Sequence, residues 1–308
     1  MGVYENLPIP TAIVSDAIPV RIKIVTLFVL FINLDYLKYI NKHLTILFFN
    51  MEFIETKKIT NNIAKITLTN GKKYNPLSLY VLRLLKNEIN NLSKDTNIKV
   101  IIISSNGPGF SAGHDLQELK ENKNNKEFFV ELFNECSDLM LKIMNIPQPV
   151  IAEVPGVAAA AGCQLVATCD LAIASNDAVF ITPGVNIGLF CSTPMVAVSR
   201  SLGRKKTMEM LLTGESMNAN DAVNFGLINK NVPLNELEMK VLNLAKLIAS
   251  KPTSTVRIGK EAFYKQAELP IEKAYKYTSE VMAQNMMQKD AKEGIEAFLD
   301  KREPKWDN

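Results

Sequence analysis

An α/β fold is what this sequence predicts, and three observations carry the prediction. Short strand-like stretches rich in apolar and β-branched residues, at Ile63–Leu68, Val100–Ile103 and Val150–Val154, alternate with stretches of helical periodicity. One of them, Val100-Ile101-Ile102-Ile103, is apolar at every position, as expected of a strand buried on both faces of a parallel sheet. From about Pro194 onward only helical periodicity is read, so the core gives way to a helical tail.

Taken in order, the first strand pattern holds Ile63, Ile66 and Leu68 and ends at the turn signal Asn70-Gly71. Leu77–Leu92 places Val81, Leu82, Leu85, Ile89 and Leu92 on one face of an amphipathic helix. A second helix is expected over Phe128–Met144 and a further strand over Leu171–Ala174. Helices are then expected at Leu234–Ala249, Thr255–Gln266, Ile271–Met287 and Asp290–Lys301. The division this suggests is an extension at residues 1–51 and one domain at 52–308, with its α/β core at about 52–193 and its helical tail at about 194–308.

The extension has a different character from the rest. Its apolar run Ile24–Leu34 is bounded by Lys23 and Asp35 and falls short of the roughly 20 apolar residues a membrane span needs. Glu5 and Asp16 upstream, with no small-residue cleavage pattern, fit a secretory signal poorly, and too little Arg and Ser is present for a transit peptide. Met51, directly before the first clean strand pattern, is an alternative start.

Composition narrows the function classes. With 47% hydrophobic and 22% charged residues, the 308-residue chain reads as a soluble globular protein. A net charge of +3 supplies no basic stripe for nucleic acid. The cysteines, Cys136, Cys163, Cys169 and Cys191, form no CxxC pair, and with only His43 and His114 as histidines a structural metal site is not expected. No GxGxxG or GxxxxGK[ST] loop occurs.

Two glycine-rich turns carry the chemistry. Gly107-Pro108-Gly109-Phe110-Ser111-Ala112-Gly113-His114-Asp115-Leu116 follows the Val100–Ile103 strand. Pro155-Gly156-Val157-Ala158-Ala159-Ala160-Ala161-Gly162-Cys163-Gln164-Leu165 follows the next strand and opens a helix. Free N–H groups in such a turn or first helical turn are natural partners for a negative oxygen. Taken alone, each is more often only a turn or a tightly packed helix start.

Together, in this order, the turns resemble the crotonase (enoyl-CoA hydratase/isomerase) superfamily. Ala112-Gly113-His114-Asp115-Leu116 is similar to its AG-x-D-[IL] motif, and Gly156, Ala158, Gly162 and Leu165 to its NG-x-A-x-GGG-x-[ED]-L motif. Leu212-Thr213-Gly214-Glu215 and the stretch Lys292–Arg302 fit as well, so the likeness covers roughly residues 53–306. The resemblance implies repeated ββα units forming a superhelical core, with a C-terminal helical region that makes a homotrimer or hexamer. It implies an oxyanion hole from the backbone N–H groups of His114 and Ala161, and no cofactor beyond a coenzyme A thioester bound as substrate or ligand. It also points to fatty-acid metabolism in mitochondria, the cytoplasm being the alternative.

The acid–base positions depart from the family. The hydratases use two glutamates; here those positions hold Gln164 and Gly184. Gln does not exchange a proton near neutral pH and Gly has no side chain. Since each such group contributes about 10² to 10⁴ in rate, weak or non-standard hydratase activity is expected. A non-catalytic acyl-CoA-binding or regulatory protein is the competing reading, and an RNA-binding crotonase a minor third. His114 and Cys191-Ser192-Thr193 are the other groups that could act near the acyl site. The His114 side chain reads more readily as packing outward, and the Cys-Ser-Thr stretch, with no His–Asp pair to activate it, as small residues lining a pocket. For the coenzyme end the resemblance points to Lys72, Lys73 and Asn75 in the loop before the first long helix, and to Lys301. The resemblance also implies that Ala112, Asp115, Leu116 and Gly162 line the thioester end. Lys72 and Lys73 read equally as a solvated basic turn, and Asp115 and Asp170 as structural acceptors.

Overall fold

Strand patterns and helix caps translate directly into architecture. A computed structural model describes residues 53–306, so the expectations for residues 1–51 lie outside the described residues. The described strands are β1 (Ile54–Thr60), β2 (Ile63–Leu68), β3 (Val100–Ser105), β4 (Gly109–Ser111), β5 (Val150–Val154), β6 (Val157–Ala159), β7 (Leu171–Ser175), β8 (Val179–Ile181), β9 (Ser216–Asn218) and β10 (Lys230–Val232). They form a larger sheet of order β1-β2-β3-β5-β7-β10 and a smaller one of order β4-β6-β8-β9. Pairing is parallel except where β1 meets β2 and where β8 meets β9.

The larger sheet is covered on both faces, which is why β3 carries no polar alternation. Ile101 and Ile103 enter the main core with Leu82, Leu85, Leu139 and Ile143. Val100 and Ile102 point the other way, into a second core with Leu237, Val241 and Ala245.

The helices are α1 (Leu79–Lys94), α2 (Leu116–Glu121), α3 (Lys126–Asn145), α4 (Ala161–Thr168), α5 (Pro194–Ser201), α6 (Arg204–Thr213), α7 (Ala219–Phe225), α8 (Leu234–Ala249), α9 (Thr253–Ala267), α10 (Ile271–Met286) and α11 (Lys289–Leu299). Helix α1 starts two residues later than the periodicity suggests because Ser78 caps it, accepting the Val81 N–H at 3.3 Å. Among the described residues no helix is long and apolar enough to cross a membrane.

Two features were not expected. The segment after Pro194 is not helical throughout: β9 closes the smaller sheet against β8, and β10 adds a parallel edge to β7. At three residues each, neither strand is long enough to show a period of two. The tail is tied to the core by a buried ion pair. Lys260 Nζ of α9 donates to Asp170 at 2.7 Å and to the carbonyls of Ile143 and Gln148 at 2.8 and 2.9 Å. Asp170 also accepts the Val150 N–H and the Tyr264 hydroxyl.

Candidate functional site

The smaller sheet positions the site. Parallel pairing of β4 with β6 (Gly109 opposite Val157, Ser111 opposite Ala158) sets the two glycine-rich turns side by side. They pack so closely that Gly113, Gly156 and Gly162 all exclude side chains; at Gly156 a Cβ would stand 2.1 Å from the Pro108 carbonyl oxygen. At Gly113, with φ +87°, a Cβ would stand 2.9 Å from the Ala159 carbonyl oxygen and 3.1 Å from the Ala161 nitrogen. At Gly162 it would stand 2.4 Å from the Ser111 carbonyl oxygen. Beyond these contacts the chain opens α2, where Asp115 serves as N-cap and accepts the Gln117 and Glu118 N–H groups at 2.9 and 3.4 Å. The second turn opens α4 at Ala161.

Among the described residues, the N–H groups of His114 and Ala161 donate to no protein acceptor, whereas those of the residues just before them are bonded. Gly113 donates to Ser111 Oγ at 3.1 Å and Ala160 to the Ile181 carbonyl at 2.9 Å. Two unspent amides therefore lie at adjoining turns, one of them at a positive helix end. The second turn is strained: Ala160 has φ 48° and ψ −115°, a region that costs a non-glycine residue about 1–3 kcal/mol.

A cavity of about 320 Å³ lies against these turns. Ala112, His114, Ala160 and Ala161 form one wall and the segment Pro183–Pro194 the facing wall, with Leu116, Leu119 and Phe133 between them. No lining residue carries a carboxylate, and its titratable members are His114 and Cys191.

Both are held in their neutral forms. His114 Nδ1 lies 3.1 Å from the Leu77 carbonyl oxygen, which assigns the proton to Nδ1, and the ring meets Phe133 edge-on at 5.3 Å. Burial lowers the imidazole below its ordinary value, against the opposing effect of that hydrogen bond. Its Nε2 is buried without a partner. Burial likewise pushes the Cys191 thiol up, partly offset by the hydrogen bond between Gly184 and its sulfur. Neither thiolate nor imidazolium is available at neutral pH, and all four cysteines are buried and free.

The two positions where hydratases carry glutamate differ from each other. Gln164 is 3% exposed, lies 3.8 Å from Cys136 Sγ through its Oε1, and is not among the residues lining the cavity. Gly184 does line it, but a Cβ there would stand 2.7 Å from the Leu189 carbonyl oxygen and 2.9 Å from Cys191 Sγ. That position is filled by its neighbours, not merely missing an acid.

The residues expected at the coenzyme end are scattered. Lys72 and Lys73 are exposed on a single 3₁₀ turn, Gly71–Lys73. Asn75 is buried, with Nδ2 donating to the Asn106 and Gly109 carbonyls at 3.0 Å each. It braces the first turn instead of facing solvent. Lys301 is exposed just after α11 and lies outside the cavity lining. Sequence reading also passed over Phe133, Ile187, Leu189 and Phe190, which complete the apolar wall. A mixed apolar loop such as Ile187–Phe190 carries no periodic signal that separates a pocket wall from core.

Known proteins similar to this chain are numerous. A family model described as enoyl-CoA hydratase/isomerase matches residues 58–308. The human protein named enoyl-CoA hydratase domain-containing protein 3, mitochondrial, is 49% identical over 246 residues, 80% of this chain and 81% of that one. The crystal structure of that human protein superposes with a TM-score of 0.79 at 47% identity, covering 82% of this chain and 99% of the other. An enoyl-CoA hydratase crystal structure from Mycobacterium smegmatis gives a TM-score of 0.81 at 42% identity, covering 83% and 99%.

Proposed function

The chain belongs to the enoyl-CoA hydratase/isomerase family, and on that premise we propose that it binds an acyl-CoA thioester whose carbonyl oxygen accepts hydrogen bonds from the N–H groups of His114 and Ala161. The observation carrying this reading is the pair of unspent amides at adjoining turns beside an apolar cavity. Donors fixed in advance stabilise the oxygen of an enolate far better than water does, and losing one such donor typically costs about 10² to 10³ in rate. Because they are main-chain groups, alanine at position 161 keeps the donor.

The proton-transfer half of hydratase chemistry has no counterpart in the cavity wall. We therefore assign weak or non-standard hydratase activity; Gln164 can only hydrogen-bond, and it does so from behind the cavity wall, outside the lining residues. The absence of a carboxylate among the lining residues favours a second reading, a non-catalytic acyl-CoA-binding protein. Under either reading Lys72 and Lys73 are the candidates to meet coenzyme phosphates as point charges, with Lys301 a further one. The helical tail serves assembly into a trimer or hexamer. Relatives named as mitochondrial support residence in that compartment.

The test is a panel of saturated and enoyl-CoA thioesters presented to the purified chain, with binding followed by calorimetry and turnover by absorbance. Binding without efficient crotonyl-CoA hydration is expected. Hydration unchanged by Gln164→Ala would remove that position from the account, and failure to bind any thioester would overturn both readings.

A further inference from the structure

Ala160 holds a conformation that glycine would take without strain, and it does so in the wall of the cavity. Both ends of the residue are fixed. Its N–H donates to the Ile181 carbonyl at 2.9 Å, and its carbonyl accepts the Gln164 N–H at 3.0 Å. Its methyl packs against the bare face of Gly113, where a Cβ would lie 3.0 Å away. It is the immediate neighbour of Ala161, whose N–H is unspent. The alanine therefore destabilises the turn relative to glycine, and all it adds is one methyl beside that donor.

We infer that Ala160 determines specificity: its methyl restricts the ligand to acyl thioesters unbranched at the carbon next to the thioester carbonyl. The inference rests on the acyl-thioester reading. A carbonyl oxygen that accepts from Ala161 N–H holds its own carbon, and that carbon's substituents, against the wall that Ala160 forms. A branch at the neighbouring carbon meets the methyl, and the methyl cannot withdraw because both of the residue's peptide groups are bonded.

The experiment compares butyryl-CoA with 2-methylbutyryl-CoA by calorimetry on the full chain, on Ala160→Gly and on Ala160→Ser. The unsubstituted chain should prefer butyryl-CoA by at least about tenfold, since one methyl in an apolar site is worth about 10- to 200-fold. Ala160→Gly should bring the ratio close to one without losing thermal stability, while Ala160→Ser, which keeps the bulk, should retain the preference. A purely structural role would move stability and leave the ratio alone. Intact butyryl-CoA binding with the same ratio in Ala160→Gly overturns this inference by itself. No butyryl-CoA binding to the unsubstituted chain overturns the thioester reading and this inference with it.

Discussion

Replace Gly184 with glutamate and the new Cβ stands 2.7 Å from the Leu189 carbonyl oxygen and 2.9 Å from Cys191 Sγ. Contacts that short force the loop to move, yet the loop is tied to position 184 at both points. Leu189 N–H donates to the Gly184 carbonyl at 2.9 Å, and Gly184 is hydrogen-bonded to the Cys191 sulfur. Overpacking of this kind costs about 1–3 kcal/mol, which in a domain of this size lowers Tm by roughly 2–10 °C. Gln164→Glu is the contrasting change. It preserves shape at a site 3% exposed, and burial raises the pKa of the introduced carboxyl toward neutrality, where it can exchange a proton. Because position 164 does not line the cavity, the gain in crotonyl-CoA hydration should fall short of the roughly 10² that a general acid or base in contact with the ligand supplies. Thermal melts and loss of enoyl absorbance measure both effects. Gly184→Glu should melt earlier and gain no activity, and combining the two changes should do no better than Gln164→Glu alone. A Gly184→Glu variant with unchanged Tm and faster hydration would refute the claim that Leu189 and Cys191 exclude a side chain there.

Three further outcomes follow from the same geometry. Lys260→Met strips the cation from half-buried Asp170 and should cost about 3 kcal/mol, the low end for a broken buried pair, read as a fall in the denaturation midpoint with no change in slope. Because burial holds the folded imidazole of His114 below its ordinary value of 6.5, its contribution to stability is present in full above that pH. It is lost as pH falls from there through the folded value, since the unfolded chain takes up the proton first; NMR titration of the ring, with melts of His114→Gln as control, should show this. Phe298, 83% exposed, and the equally apolar Leu299, Met287 and Ile271 crowd the tail's surface. An apolar face of this kind is what a subunit contact buries. Light scattering should report a trimer or hexamer, and Phe298→Asp should weaken it.

Elements buried on two faces were legible in the sequence, and those held by few residues were not. The run Val100–Ile103 declares itself because both faces of β3 pack into cores. Helix α8 matches its expected span, Leu234–Ala249, because its apolar repeat is long and uninterrupted. The strands β9 and β10 escaped notice at three residues each. At the site, the spacing of Gly113 and Gly162 identified both turns, since each glycine answers a close backbone approach. The sequence could not reveal that Asn75 spends its amide on Asn106 and Gly109. Nor could it reveal that Gly184 is walled in, or that Ala160 sits where glycine would be at ease. Asn75 depends on neighbours distant in sequence, Gly184 on how the loop just after it folds back, and Ala160 on a backbone angle that alanine rarely adopts.

The central claim is that two main-chain amides hold a thioester carbonyl, and removing that carbonyl from the ligand tests it most directly. Calorimetry should compare butyryl-CoA with S-butyl-CoA, the thioether that keeps the chain and the coenzyme but lacks the oxygen. Two hydrogen bonds of about 0.5–1.5 kcal/mol each predict a thioester preference of roughly 5- to 150-fold. Equal affinity for the two ligands would contradict the account, because the N–H groups of His114 and Ala161 would then have no part in recognition.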